Sequence, residues 1–217
     1  MAAHERAPGS EPGSDPQERR RAHFLAALRD PDVEVRATAS RALERLERRQ
    51  DLETLLARAR AADAGTRVAA IYELGTLADP AVAPALVAAL RDPVEDVRVV
   101  AVRTLGELRH AGTLTAFVQC LDDPSRHVRQ HALEAIGGFG DRRLVPVLRA
   151  VLGERDPELL GPALRALGAC RDPACEPEIE AFVRHAEPAV RAAALEALSR
   201  LDASPSAEGS LAGNGTG

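Results

Sequence analysis

Residues 92–108 read DPVEDVRVVAVRTLGEL, and residues 123–139 read DPSRHVRQHALEAIGGF. The second stretch follows the first after 31 residues and repeats its frame: Asp-Pro, then Val-Arg, then Ala, then an aliphatic residue followed by Gly. The arginine extends outward as Arg36, Arg67, Arg98, Arg129 and Arg191, with Leu160 at the one phase it misses. The aliphatic residue extends as Leu43, Leu74, Leu105, Ile136, Leu167 and Leu198, six for six. A third column runs Phe24, Leu55, Leu86, Phe117, Leu148 and Ile179. Self-similarity at a fixed period of this size marks a solenoid of stacked supersecondary units.

Each unit divides into two amphipathic helices. In the third, PAVAPALVAALR (80–91) carries Val82, Leu86 and Leu90 on one face, and the following segment carries Val97, Ala101, Leu105 and Leu108. Spacing of i, i+4 and i+8 is the helical period. Asp-Pro at 30–31, 92–93, 123–124 and 156–157 precedes second helices, and at 79–80 and 172–173 it precedes first helices. Aspartate satisfies free N–H groups at a helix start, and proline loses no hydrogen bond at the first helical position. The pattern predicts an all-α chain: six repeats and twelve helices, at 17–48, 50–78, 79–110, 111–140, 141–171 and 172–202, forming one right-handed α-α superhelix. Gly75, Gly106, Gly137 and Gly168 follow the aliphatic column. Glycine costs about 1 kcal/mol relative to alanine in a helix, so four at one phase require a close backbone approach or a helix end. Glu44 and Ser199 replace it in the terminal repeats, as capping units should. Repeat five is irregular, with Leu160 followed by Gly161-Pro162, and a late helix start is expected there. Residues 1–16 and 203–217, rich in Pro, Gly and Ser, are expected to be disordered flanks of a repeat domain at 17–202.

The net charge of −5 argues against a nucleic-acid partner, because phosphate binding needs a clustered positive field. All 28 basic residues are arginine, a usage that fits a GC-rich bacterial genome. Cys120, Cys170 and Cys175 form no C-x-x-C pair, and the first two fall on apolar phases, as small buried hydrophobes do. Free thiols, a start without an apolar leader region and the lack of a run of 18 apolar residues predict a soluble cytoplasmic protein with no membrane partner.

The unit D-P-x-x-x-V-R-x-x-A-x-x-x-L-G, followed by a first helix of the type A-V-A-P-A-L, resembles the HEAT repeat. More closely, it is similar to the short HEAT-like repeat of phycobilisome lyases and their bacterial relatives. Pro84, Pro146 and Pro177 match the proline of the first helix in such repeats. The resemblance implies an inter-repeat ladder in which each arginine reaches the aspartate of an adjacent unit. Its candidates are Asp30, Arg36, Arg67, Asp92, Arg98, Asp123, Arg129 and Arg191. The aspartate phase reads Ala61, Glu154 and His185 in repeats two, five and six.

Catalytic readings find little support. Deoxyhypusine hydroxylase, a HEAT-repeat enzyme, holds iron with His-Glu dipeptides directly after the repeat arginine. Here those positions read Ala37-Thr38, Val68-Ala69, Val99-Val100, Gln130-His131 and Ala192-Ala193, and the chain's single His-Glu pair is His4-Glu5. His131 with Glu134, or with His127, has metal-compatible helical spacing, but a solvated helix face outweighs either, so no metal or cofactor is expected. HEAT-like DNA glycosylases place aromatics on a basic face, and of the four Phe and one Tyr here only Tyr72 lies off the core phases. Positions one, five and nine after the arginine point away from the packed face, onto the concave side of such solenoids. They define a groove with Val68, Tyr72, Val99 and Val100 at its centre, bordered by Arg41, Arg103, Glu107, Gln130, His131, Glu134 and Arg165. Exposed valines beside a tyrosine and an arginine have hot-spot composition. The expected function is a non-catalytic adaptor that takes a protein or peptide in this groove. An accessory subunit of a lyase-type or cofactor-maturation enzyme is the alternative.

Overall fold

The computed structural model describes residues 15–201 except 78 and 155, so the expected flanks, apart from Asp15 and Pro16, lie outside the described residues. The described residues contain eleven α-helices and no strand. They divide into two compact units, the first ending at Leu55 and the second beginning at Leu56.

The first unit holds α1 (Pro16–Ala27) and most of α2 (Val33–Arg58). Asp15 caps α1 by accepting from the Gln17 N–H at 2.9 Å, and Pro16 occupies the first helical position. This helix buries no side chain completely and is tied to α2 by polar contacts, Gln50 to Gln17 at 3.4 Å and Arg21 to Glu47 at 3.8 Å.

The expected helix break near residue 49 is absent, because α2 runs unbroken for 26 residues, giving eleven helices rather than twelve. The cause is local. Arg48-Arg49 stand where Asp79-Pro80 and Asp172-Pro173 punctuate later repeats, and Glu44 stands at the glycine phase. Residues 43–58 therefore contain neither Gly nor Pro, and strong helix formers simply propagate the hydrogen-bond ladder.

The second unit comprises α3 (Ala64–Thr76), α4 (Ala83–Ala89), α5 (Glu95–Leu108), α6 (Leu114–Cys120), α7 (Arg126–Phe139), α8 (Val145–Glu154), α9 (Pro157–Ala169), α10 (Glu176–Glu180) and α11 (Pro188–Leu201). A single 3-10 turn leads into each of α4, α6, α8 and α10. Asp79, Asp141 and Asp172 cap three of these turns. Pro84, Pro146 and Pro177 then fall in the first turn of their α-helices, where no donor is missed. Within each repeat the first helix packs on the second, as α4 does on α5 and α8 on α9. Between repeats, α3 packs on α5, α5 on α7, α7 on α9 and α9 on α11. The second helices thus form one continuous layer, which is the repeat stack read from the sequence.

The core follows the columns. Leu74, Leu105, Ile136 and Leu167 are fully buried, as are Leu86, Phe117, Leu148 and Ile179. Each such side chain contributes roughly 1.5–3 kcal/mol of hydrophobic stabilisation. The glycine column sits where second helices touch. A Cβ on Gly75 would overlap the methyl of Thr104, and one on Gly106 would lie 3.1 Å from the Ala135 Cβ. On Gly137 it would lie 3.1 Å from the Ala166 Cα, and on Gly168 2.5 Å from the Ala197 Cα. Small residues at the facing phase complete the fit, so these glycines serve close approach and not a helix end.

Two expectations are corrected here. The helix of repeat five does not start late: α9 begins three residues before the arginine phase, as α5 and α7 do. Asp156 caps it and Pro157 opens it, while Leu160 replaces the arginine and is buried. Second, Asp92 and Asp123 are not helix caps, since α5 and α7 start three residues later, after Val94 and Ser125.

Leu105→Ala should lower unfolding free energy by about 2–5 kcal/mol by emptying a buried site. Arg103→Ala, two residues away and half exposed, should cost about 0.5 kcal/mol or less. Urea denaturation of the two variants measures the difference, and equal losses would contradict the helical phase.

Candidate interaction site

The repeat arginines are clamps before they are anything else. Arg67 donates from Nε and Nη2 to the two carboxylate oxygens of Asp92 at 2.7 and 2.8 Å. Arg98 grips Asp123 in the same bidentate way at 2.8 and 2.9 Å. Both aspartates belong to the following repeat, and both are free for the arginine because they do not cap a helix. Each instead closes a loop turn, Asp92 accepting from the Val94 N–H at 2.9 Å and Asp123 from the Ser125 N–H at 2.8 Å.

The remaining nitrogen, Nη1, does work that sequence reading missed. Arg36, Arg67, Arg98, Arg129 and Arg191 all donate it to the carbonyls six and five residues earlier. Each of these arginines therefore staples the loop that enters its own helix, and in Arg67 and Arg98 the other edge reaches the next repeat. Arg129 finds Asp156 at 3.7 Å, because the Asp-Pro of repeat five is displaced by two residues. Asp30 holds the Asp32 N–H at 2.9 Å within the first unit. The hydrogen bond from Arg67 holds the Asp92 carboxyl below the ordinary carboxylate range, and Asp92 in turn raises the Arg67 guanidinium.

The exposed face of the second helices carries the remaining candidates. Tyr72 is 58% exposed on α3, and the Arg103 guanidinium of α5 lies over its ring, 5.7 Å from the centroid. That is cation–π range. Arg103 also approaches Glu107 at 4.0 Å. Val68, Val99 and Val100 are half-buried beside the same phases. On α7, His131 and Glu134 are joined at 2.9 Å. Arg165 of α9 is half-buried, whereas Arg41 lies on α2 in the first unit, where it donates to Thr38 at 3.2 Å.

Gln130 has a different occupation. Pro162 lies inside α9 and has no N–H to offer the Glu158 carbonyl. The Gln130 amide of α7 donates to that carbonyl at 3.3 Å. A helix defect in repeat five is thereby repaired by repeat four.

Two adjoining depressions open on this face. One, of about 400 Å³, is lined by Arg103, Glu107, His131 and Glu134 together with Arg109 and Gly138. The other, of about 360 Å³, shares Glu134, Arg109 and Gly138 and adds Arg165 and Arg200. Arg109, Gly138 and Arg200 were not anticipated. Arg109 ends α5 in a left-handed conformation (φ 48°), and the second glycine of Gly137-Gly138 was the available signal. The depressions have alternating charge and no buried nucleophile. Cys120, Cys170 and Cys175 are free and buried, and burial pushes the first two thiols up to about 11. Among the described residues no three His, Cys, Asp or Glu side chains are placed to hold a metal ion. None of the described helices is long and apolar enough to cross a membrane.

A family model described as HEAT repeats matches residues 21–99, 84–161 and 145–211. The chain belongs to the HEAT repeat family. A search of curated proteins finds no match. Among solved structures, the complex of CpcE and CpcF of phycocyanin lyase from Nostoc sp. PCC7120 is similar at 27% identity and a TM-score of 0.61, over 70% of this chain. This chain spans 65% of that one's length. Escherichia coli YibA is similar at 21% identity and a TM-score of 0.60, covering 87% of this chain and 70% of that one. A designed armadillo repeat protein in complex with a (KR)4 peptide shares the fold at 21% identity and a TM-score of 0.54, over 83% and 98% of the two chains.

The Asp92 ion pair has a defined pH signature. Its folded carboxyl is depressed, so its contribution is fully present above the unfolded carboxylate value of about 3.9 and is lost as pH falls through the lower folded value. Asp92→Asn keeps an acceptor for the Val94 N–H and removes the charge. The gap between wild-type and variant urea midpoints should be constant near neutrality and close below about pH 4. A gap that widens on acidification would refute the assignment.

Proposed function

We propose that this protein is a non-catalytic protein–protein interaction adaptor that binds a protein or peptide segment on the exposed face of its second helices. The observation that carries the reading is the Tyr72–Arg103 pair, a large exposed aromatic held under a guanidinium beside half-buried valines. Tyrosine and arginine bring most contact energy per residue to interfaces, and a tyrosine braced by a neighbour loses little entropy on binding. Val68, Val99 and Val100 supply apolar area, and Arg103, Glu107, His131, Glu134 and Arg165 form the charged border. Gln130 belongs to the packing between α7 and α9 more than to the contact surface. The arginine–aspartate ladder has a structural role: it sets the spacing of the second helices and so the spacing of the exposed side chains. Alternating charges along the face favour a polypeptide over a polyanion, and neither a nucleic acid, a membrane nor a cofactor is part of the proposal. A cytoplasmic location fits the buried free thiols.

One observation favours a second reading. The likeness to CpcE and CpcF, at 27% identity, is to a two-chain complex of a lyase, so an accessory role in a lyase-type or cofactor-maturation enzyme follows if this chain shares that way of working. A purified protein carrying chromophore or metal would support it, and a colourless, metal-free one would support the adaptor.

The test begins with affinity capture of a partner from the native host. Tyr72→Ala and Arg103→Ala should each lose about 1–3 kcal/mol of affinity for it while melting like wild type. Arg149→Ala on α8, a first helix, should bind normally. Loss of binding on the first-helix side with Tyr72→Ala and Arg103→Ala intact would place the interface elsewhere.

A further inference from the structure

The junction between successive repeats has three recurring parts. One is the residue four after the arginine phase: Ile71, Val102, Leu133 and Leu164 are all fully or almost fully buried there. The second is the residue before the arginine phase, where Val97, Val128, Leu159 and Val190 are buried. The third is the arginine edge, Nε and Nη2, closing on an aspartate of the next repeat, as Arg67 does on Asp92 and Arg98 on Asp123.

Both halves of this junction stand open at opposite ends of the described chain. On α11, Leu195 occupies the first position and is 55% exposed. Arg191 there uses Nη1 on its own loop, and its other edge meets no carboxylate among the described residues. On α2, Val35 occupies the second position at 40% exposure, with Val33 exposed beside it. The Asp30 carboxylate holds the Asp32 N–H just as that of Asp92 holds the Val94 N–H, and no described arginine pairs with it; Arg36 takes only the Asp30 carbonyl. One end offers a leucine and an arginine, the other a valine and an aspartate. The polar replacement expected of a sealing terminal repeat is made at the glycine phase, by Glu44 and Ser199, but not at Leu195 or Val35.

We propose that two copies of this chain associate head to tail, α11 of one against the α1–α2 corner of another, with Arg191 of one copy pairing with Asp30 of the next. The occupant is a second copy because the two faces complement each other in charge and in apolar position, column by column. The interface is heterologous, so the same contact can repeat and assembly grows with concentration. Ser199 stands where internal repeats have the close-approach glycine, which keeps the second copy slightly further off and makes the contact reversible. The inference is independent of the partner groove, because it uses neither Tyr72 nor Arg103.

Sedimentation of the full 217-residue chain over a range of concentrations tests it. The weight-average mass of the wild type should rise with concentration. Leu195→Glu, at a site already exposed, should raise the dissociation constant at least about tenfold without changing the melting temperature. Arg191→Asp and Asp30→Arg should each fail to self-associate, yet their equimolar mixture should regain association, because one retains the aspartate end and the other the arginine end. Tyr72→Ala should leave the mass unchanged. A wild type monomeric at every concentration would overturn the proposal. So would association indifferent to Leu195→Glu, or a monomer whose melting falls on deletion of 203–217, which would assign the face to the chain's own end.

Discussion

The guanidinium group of the repeat arginine is the constraint on which the second unit depends. A planar fork with five donors can hold two carbonyls on one edge and a carboxylate on the other, which a point-charge ammonium cannot do. In Arg67, Nη1 fixes the loop before α3, and Nε with Nη2 fixes Asp92 of the next loop. That aspartate pins its own turn through the Val94 N–H. Loop, helix and neighbouring loop are thus set by one side chain, and the side chain is only about 11% exposed. The helices between these clamps are free to slide only as far as the packing of their faces allows. Glycine opposite a small residue limits that freedom, since Gly168 faces Ala197 at a distance that leaves no room for a Cβ and Gly137 faces Ala166 with little to spare.

Where the clamp is missing, the structure shows what substitutes for it. Repeat five has Leu160 in place of the arginine and buries it. Its helix start is fixed instead by the Asp156 cap and the Pro157 beside it, and on the side of repeat four by Arg126, which meets Glu158 at 2.7 Å and Asp156 at 3.8 Å. The helix also tolerates Pro162, because the carbonyl that the proline abandons is taken by Gln130. Regularity is therefore preserved by different chemistry at the same phase, which is why α9 keeps the register of α5 and α7 despite an irregular sequence.

Most of the fold was legible because it is written in single-residue columns at a fixed period, and buried columns tolerate few side-chain types. The departures have one cause in common: they depend on a competition between neighbouring residues and not on identity at a phase. The break expected in α2 is missing because Arg48-Arg49 offer no cap and no missing donor, so continuation wins. Asp-Pro reads as a helix start, yet at 92–93 and 123–124 the aspartate is worth more to the arginine of the preceding repeat than to its own helix. The candidate face was legible only in part. Phase arithmetic finds Tyr72 and Arg103, which the structure brings together, but assigns Gln130 to solvent when a distant proline has already claimed it. Arg109 reaches the face from a left-handed helix end, beyond the range of any helical wheel.

The same division explains why architecture and function separate so sharply in this chain. Every residue that recurs is consumed by the stack: the arginines by loops, the glycines by neighbouring helices, the aliphatics by the core. What the stack leaves over is the set that varies at one phase of the outer face, Tyr72, Arg103, Glu134, Arg165 and Glu196 on successive second helices. Period and packing place these side chains one repeat apart and leave their identity unconstrained. An aromatic followed by alternating charges is a pattern that packing does not require, and the stack holds these groups one repeat apart. Under the proposed function, a change in the ladder alters the spacing of the face, and with it binding, as surely as a change in the face itself.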